Sequence, residues 1–203
     1  MKARELSISG AWELTPRVHT DPRGEFFEWF TDSAFTEFAG HRLDMRQANC
    51  SVSSAGVLRG VHFAQVPPSQ AKYVTCLRGS VFDVVVDIRV GSPTFGKWDA
   101  VVLDDRHRSV YLSEGLGHAF LALEDDSTVM YLCSAAYAPD REHTINPLDP
   151  TLDIAWPAVD GEPIISDRDR EAPSLEQVRA AGLLPTWDES RAFIGELRRG
   201  HAL

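Results

Sequence analysis

Apolar and polar positions alternate with period two through most of the first 135 residues. The stretch Gly56-Val57-Leu58-Arg59-Gly60-Val61-His62-Phe63 is its centre. Such alternation predicts a strand, and a regular strand puts Leu58, Gly60 and His62 on one face. Gly60 leaves room on that face for a ligand to approach the backbone. Pro67-Pro68 is expected to end the strand, and Lys72 to open the next. From Gly79 to Arg89, Phe82, Val84, Val86 and Ile88 make one apolar face. Val81, Asp83, Val85 and Asp87 make the other, with two acids embedded in it. Further strands are expected over Leu6 to Leu14 (an edge strand broken by Gly10), Glu25 to Phe30 after a turn at His19 to Gly24, and Asp44 to Ser53. Others are expected over Trp98 to Leu103, Ser109 to Leu112, the glycine-rich run through His118 to Phe120, and Ser127 to Ser134. One early helix is read over Thr31 to Ala39, with Thr31 or Asp32 as cap and Gly40 as stop. After Pro139 the repeated Asn-Pro, Asp-Pro, Trp-Pro and Glu-Pro pairs mark an irregular segment. Helices follow over Ser174 to Ala181 and Ser190 to Arg199. Strand after strand at short intervals predicts a mainly β sandwich or barrel. The whole chain, 1–203, reads as one domain, with 140–203 an irregular and helical extension packed on it.

A net charge of −10 argues against a nucleic-acid polymer or a membrane surface as partner. It leaves room for a small anionic ligand where arginines cluster. Cys50, Cys76 and Cys133 are scattered, with no spacing for a disulfide framework or a zinc site. They read as buried free thiols of a cytoplasmic protein. The amino terminus lacks the apolar core of a signal peptide, and no apolar run has membrane-spanning length.

A metal-binding β-barrel of this kind wants His-x-His in one strand, and the second position here is Ala64. No metal is expected. Proton abstraction beside a carbonyl needs a base, a donor on the opposite face, and a group to hold the enolate oxygen. His62 supplies a base, Tyr131 a neutral phenol with a proton to give, and Lys72 a cation for the oxygen. An imidazole base needs a carboxylate to fix its tautomer, and Asp169, Asp167 and Asp83 all remain open for that role. Arg23, Arg59 and Arg168 are available for a diphosphate. Taken singly, each of these residues has an ordinary structural explanation. Ser166-Asp167-Arg168-Asp169-Arg170, for example, reads as a solvated surface.

Taken together the segments form a pattern. It comprises Asp21-x-Arg23-Gly24-x-Phe26-x-Glu28, Gln47-x-Asn49, Leu58-Arg59-Gly60-Val61-His62, Gln70-x-Lys72, Gly79-x-Val81-x-Asp83-Val84-x-Val86-Asp87, Gly91-Ser92-Pro93-Thr94-Phe95-Gly96, Gly115-x-x-His118-x-Phe120 and Tyr131. From about Gly10 to Pro185 the chain resembles the dTDP-4-dehydrorhamnose 3,5-epimerases and the related 3- or 5-epimerases of deoxysugar pathways. The resemblance implies a cupin-type jelly roll that forms a homodimer and uses no cofactor. It implies His62 as base with Asp169 as its carboxylate, Tyr131 as donor, and Lys72 steadying the enolate with Asp83 paired nearby. It also implies Arg23, Glu28, Gln47, Asn49, Arg59, Lys72, His118, Glu142 and Arg168 around the nucleotide and sugar, with Tyr137 stacked on thymine. The implied substrate is dTDP-4-dehydro-6-deoxy-D-glucose, whose 4-keto group acidifies the protons at C3 and C5. Two positions depart from the family pattern: Gly117-His118-Ala119 stands where Ala-His-Gly is common, and Arg168 where lysine is usual. Inversion of one carbon rather than two stays open. A silent dTDP-sugar binder and a metal-dependent cupin oxygenase are the remaining alternatives.

Overall fold

The computed structural model describes residues 1–67 and 69–200. Among the described residues, fourteen strands and four helices follow one another. The strands are β1 (Lys2–Glu5), β2 (Ala11–Thr15), β3 (Val18–Asp21), β4 (Gly24–Phe27), β5 (Gln47–Ser53), β6 (Val57–Ala64), β7 (Lys72–Arg78) and β8 (Val81–Val86). They continue as β9 (Trp98–Leu103), β10 (Ser109–Leu112), β11 (Gly117–Ala122), β12 (Ser127–Cys133), β13 (Glu142–Thr144) and β14 (Ile164–Ile165). The helices are α1 (Asp32–Ala39), α2 (Asp167–Arg170), α3 (Leu175–Ala180) and α4 (Trp187–Gly200).

Two sheets pack face to face as a jelly roll. The first has the order β1-β2-β10-β7-β12-β5, and the second β13-β6-β11-β8-β9, with β14 parallel to β6. Strand β8 divides its side chains as its alternation demands. Val81 and Val85 enter the core between the sheets, beside Val74, Val110 and Val129 of the first sheet. Val84, Val86 and Ile88 face the other way and are covered by Ile145, Leu152, Leu175 and Val178 of the C-terminal segment. That segment is therefore held on the outer face of the second sheet by apolar burial, worth about 1.5–3 kcal/mol per fully buried side chain. On the outside of the first sheet, α1 packs Phe35 against Tyr73 and Tyr111.

The helix over Asp32–Ala39 has the expected ends: Thr31 is extended at its start, and Gly40 closes it with φ +77°. Elsewhere the boundaries differ from the sequence reading. Leu6 to Leu14 is not one strand. Gly10, at φ +85°, turns the chain, so that β1 and β2 form a hairpin. Strand β3 runs to Asp21, which narrows the next turn to Pro22-Arg23 and leaves Glu28 beyond the end of β4. Strand β5 starts at Gln47 rather than Asp44, and the last helix starts at Trp187 rather than Ser190. Strands β13 and β14 and helix α2 are too short to leave a periodic signal, and they hang on β6. Strand β6 ends at Ala64; Pro68, read with Pro67 as its stop, lies outside the described residues, as do residues 201–203 of the domain reading. Cys76 and Cys133 are buried free thiols, but Cys50 is exposed, because it sits on the outward-facing set of β5. No helix among the described residues is long and apolar enough to cross a membrane.

Candidate active site

A cavity of about 370 Å³ opens between the sheets. Gln47 and Asn49 of β5, His62 of β6, Lys72 of β7 and Tyr131 of β12 line it. Gln70, Tyr137, Glu142 and Arg168 complete much of the wall.

His62 reaches the cavity through an irregularity that simple alternation misses. Across the β6–β11 pair, His118 faces His62 while Phe120 faces Arg59, so three steps on β6 match two on β11. This is a bulge, and it reverses the facing of everything after it. Before it, Val57 packs in the inter-sheet core, and Arg59 Nε donates to Ser53 Oγ on the facing sheet at 3.2 Å. After it, His62 faces inward while Val61 and Phe63 pack outward. Leu58 therefore does not share a face with His62, as strict alternation had implied; it packs outward on Leu121 and Ile165. Gly60 makes the bulge possible. Its φ is +112°, and a Cβ there would lie 2.5 Å from the His118 carbonyl oxygen and 2.7 Å from Ala119.

Of the three carboxylates left open for His62, the structure supplies Asp169. Its Oδ1 lies 2.9 Å from His62 Nε2, and its Oδ2 accepts the Gly60 N–H at 3.2 Å. Helix α2 presents it: Ser166 caps the helix by accepting the Asp169 N–H. Asp169 is buried while Asp167, Arg168 and Arg170 around it are exposed, so the acid–base run is only partly the solvated surface it resembles. Burial works to raise the Asp169 pKa. The hydrogen bond and charge of His62, the Gly60 N–H and Arg168 outweigh it, and the carboxyl sits below its ordinary range. An ionised Asp169 accepts from Nε2–H, which leaves Nδ1 of His62 as the nitrogen able to take a proton.

Lys72 is buried, and its ammonium meets no carboxylate within salt-bridge distance among the described residues. Burial lowers its pKa, against the pull of Cys133, Glu142 and Asp83. Asp83 is not its ion-pair partner, contrary to expectation. Asp83 Oδ2 instead lies 2.8 Å from Nε2 of the buried His118, and its Oδ1 is buried without a hydrogen bond. This second imidazole–carboxylate pair sits behind the cavity, one strand over from His62. Burial raises the pKa of Tyr131, with Cys133 and Glu142 adding to it and Asn49 and Arg59 opposing, so the phenol keeps its proton at neutral pH.

Eight of the sequence-read residues thus line one cavity: Gln47, Asn49, His62, Lys72, Tyr131, Tyr137, Glu142 and Arg168. Asp169 stands directly behind His62. Arg59 is exposed nearby, and His118 is buried beneath. Arg23 and Glu28 do not reach the cavity of their own chain. Arg23 lies at the tip of the β3–β4 hairpin, paired with Asp21. Three lining residues were given no site role from sequence. Gln70, which donates to the Ala135 carbonyl at 3.0 Å, was legible as the residue two before Lys72. Cys50 and His143 carried no distinguishing signal.

The family model for dTDP-4-dehydrorhamnose 3,5-epimerase matches residues 5–177. The chain is 74% identical over 200 residues to the dTDP-4-dehydrorhamnose 3,5-epimerase of Mycolicibacterium smegmatis, covering 98% of both chains. The solved rmlC epimerase of Mycobacterium tuberculosis superposes with a TM-score of 0.96 at 69% identity, over 97% of this chain and all of that one (100%). ChmJ, a 3'-monoepimerase of Streptomyces bikiniensis solved with dTDP-quinovose, superposes at 0.92 with 52% identity, over 95% of this chain and 98% of its own. With the jelly roll and the cavity, these likenesses establish that the chain belongs to the dTDP-4-dehydrorhamnose 3,5-epimerase family.

Proposed function

We propose that this enzyme epimerises dTDP-4-dehydro-6-deoxy-D-glucose at C3 and C5 to dTDP-4-dehydro-L-rhamnose. The observation that carries the reading is one cavity holding His62 from one sheet and, from the other, Tyr131 and a buried Lys72 that meets no carboxylate at salt-bridge distance among the described residues. His62 Nδ1 takes the proton beside the 4-keto group. Asp169 holds the ring and balances the imidazolium that forms. Negative charge moves onto the 4-oxygen, where the Lys72 ammonium stabilises it in a poorly hydrated site. Tyr131 returns a proton from the opposite face, which inverts the carbon. The keto group supplies the acidity, and the residues named suffice for each proton transfer.

For the nucleotide, Arg59 and Arg168 carry the cations that suit a diphosphate, and Gln47, Asn49 and Glu142 offer polar contacts. Tyr137, 52% exposed beside the cavity, has a ring face free for thymine. Arg23 and Glu28 join this set through a second copy of the chain. The β3–β4 hairpin pairs with neither large sheet, and its Phe26 is 69% exposed. Strand β5 is an open sheet edge, with Val52 59% and Leu77 52% exposed on the outer face beside it. A homodimer covers such edges and faces and carries each arm to the other subunit. The unpaired cysteines fit a cytoplasmic enzyme.

His62→Ala tests the base: it should abolish exchange of the substrate's α-protons while leaving dTDP binding intact, and exchange near the wild-type rate would refute the assignment. For the arm, Arg23→Ala should raise KM. Mixed dimers of Arg23→Ala with His62→Ala should regain the wild-type KM, because one site then holds an intact base and an intact arm. No such recovery would place Arg23 outside the partner's site.

A further inference from the structure

A second cavity, about 310 Å³, lies where α4 crosses the β1–β2 turn, and it shares no lining residue with the candidate active site. Trp187, Arg191, Ile194 and Arg198 recur at the spacing of one helix face. A helix face turned onto a sandwich is ordinarily apolar; this one carries two arginines and an indole. Beneath them, the fully buried Arg89 holds Asp87 through two hydrogen bonds of 2.8 Å, so its charge is already balanced. Its Nη2 also donates to the Ser9 carbonyl at 3.0 Å, and its Nη1 lies beside Gly10 in the cavity wall. Two guanidiniums stand over the Trp187 ring, Arg89 4.5 Å and Arg191 5.8 Å from its centroid. Among the described residues, Arg198 hydrogen-bonds only through Nε, to the Ala39 carbonyl at 3.1 Å. Among the described residues, neither Arg191 nor Arg198 meets a carboxylate at salt-bridge distance. Among the described residues Glu5 is the one acid in the wall, and it accepts the Gly10 N–H at 3.2 Å. Gly195 sits mid-helix on the same wall, where alanine would favour the helix by about 1 kcal/mol.

Two guanidinium forks with unused N–H groups therefore face one cavity in a chain of net charge −10. A carboxylate is satisfied by one fork; a phosphoryl group has oxygens enough for two. The flanking Trp12 offers flat apolar surface. We propose that this cavity binds a small phosphorylated ligand with a planar body, its phosphoryl oxygens held by Arg191 and Arg198 and its ring laid against an indole. The inference is independent of the epimerase reading, because the two cavities share no residue.

The test uses the full-length protein and phenyl phosphate as probe, reading the Trp187 indole N–H by NMR, with the signal assigned through Trp187→Phe. No tryptophan lines the candidate active site, so the readout is local to this cavity. A saturable shift is expected, at least about tenfold weaker with benzoate and at least about tenfold weaker in Arg191→Ala/Arg198→Ala. Arg191→Glu, which changes an exposed side chain, should weaken it likewise while epimerase turnover stays unchanged. No saturable Trp187 shift up to about 10 mM probe would overturn the proposal, as would an equal shift in the arginine variants. Benzoate binding as tightly as phenyl phosphate would overturn the phosphate assignment.

Discussion

Replacing Asp169 by Asn should cost more activity than its small change in shape suggests. The Gly60 N–H, 3.2 Å from Oδ2, requires an acceptor at that position. An asparagine there places its oxygen on Gly60 and its NH₂ where Oδ1 stood, 2.9 Å from His62 Nε2. Nε2 must then accept, which moves the imidazole proton to Nδ1, the nitrogen that should remove the substrate proton. The base is present but already protonated. A comparable tautomer reversal in a serine protease lowers kcat by about 10⁴, which at 1.36 kcal/mol per decade is about 5.4 kcal/mol of barrier. Asp169→Ala leaves the ring free to choose its tautomer. It forfeits only the orientation and charge of the carboxylate, so a loss nearer 10²–10³-fold is expected. The assay is deuterium wash-in at C3 and C5 of the substrate in heavy water, with Tm recorded to confirm folding. Asn more damaging than Ala is the expected order. Exchange in Asp169→Asn within about tenfold of wild type would refute the tautomer reasoning, and Ala clearly worse than Asn would show that hydrogen-bond geometry matters more than proton placement.

Three further outcomes are expected. Tyr131→Phe should lower net inversion by about 10²–10⁴-fold while leaving measurable α-proton exchange, read as deuterium in recovered substrate; equal loss of both would argue against a donor role. Gly60→Ala meets the His118 carbonyl and Ala119 at φ +112°, so left-handed strain and overpacking should together cost about 2–6 kcal/mol in urea unfolding; a change below about 0.5 kcal/mol would contradict the bulge geometry. Burial works to raise the Asp87 pKa from its ordinary 3.8, but Arg89, Ser92 and Thr94 together hold it lower. A depressed folded-state value means that its stabilisation is complete above pH 3.8 and is lost as pH falls through the lower folded value. Asp87→Asn should therefore cost about 3–5 kcal/mol at pH 7 and flatten the acid-unfolding profile below about pH 4; an unchanged profile would mean that the Asp87 charge does not support the Gly91–Gly96 loop.

The β architecture was legible because strands such as Val81–Val86 carry a clean alternation that packing preserves on both faces. The ends of α1 were legible from Thr31 and Gly40, whose backbone preferences are local. The bulge at Gly60 was not. An unpaired residue in one strand leaves no mark on period two, so Leu58 was expected on the face that Arg59 takes. Asp169 was one of three open choices from sequence alone, and the family resemblance selected it. Its four-residue helix is too short for periodicity, and only the fold brings it 107 positions back to His62. The Asp83–His118 pair was hidden for the same reason: each residue was legible on its strand, but only the β8–β11 register puts them together. Arg23 shows the opposite limit, since its motif was plain while its chain's own cavity lies out of reach.

The most direct test is incubation of the purified enzyme with dTDP-4-dehydro-6-deoxy-D-glucose in heavy water, with deuterium located by NMR and mass spectrometry. Label at both C3 and C5, with the L-lyxo product, is the expected result. Label at one carbon would make this a single-centre epimerase. Label at neither, with the nucleotide still bound, would contradict the assignment of His62 and Tyr131 as proton carriers.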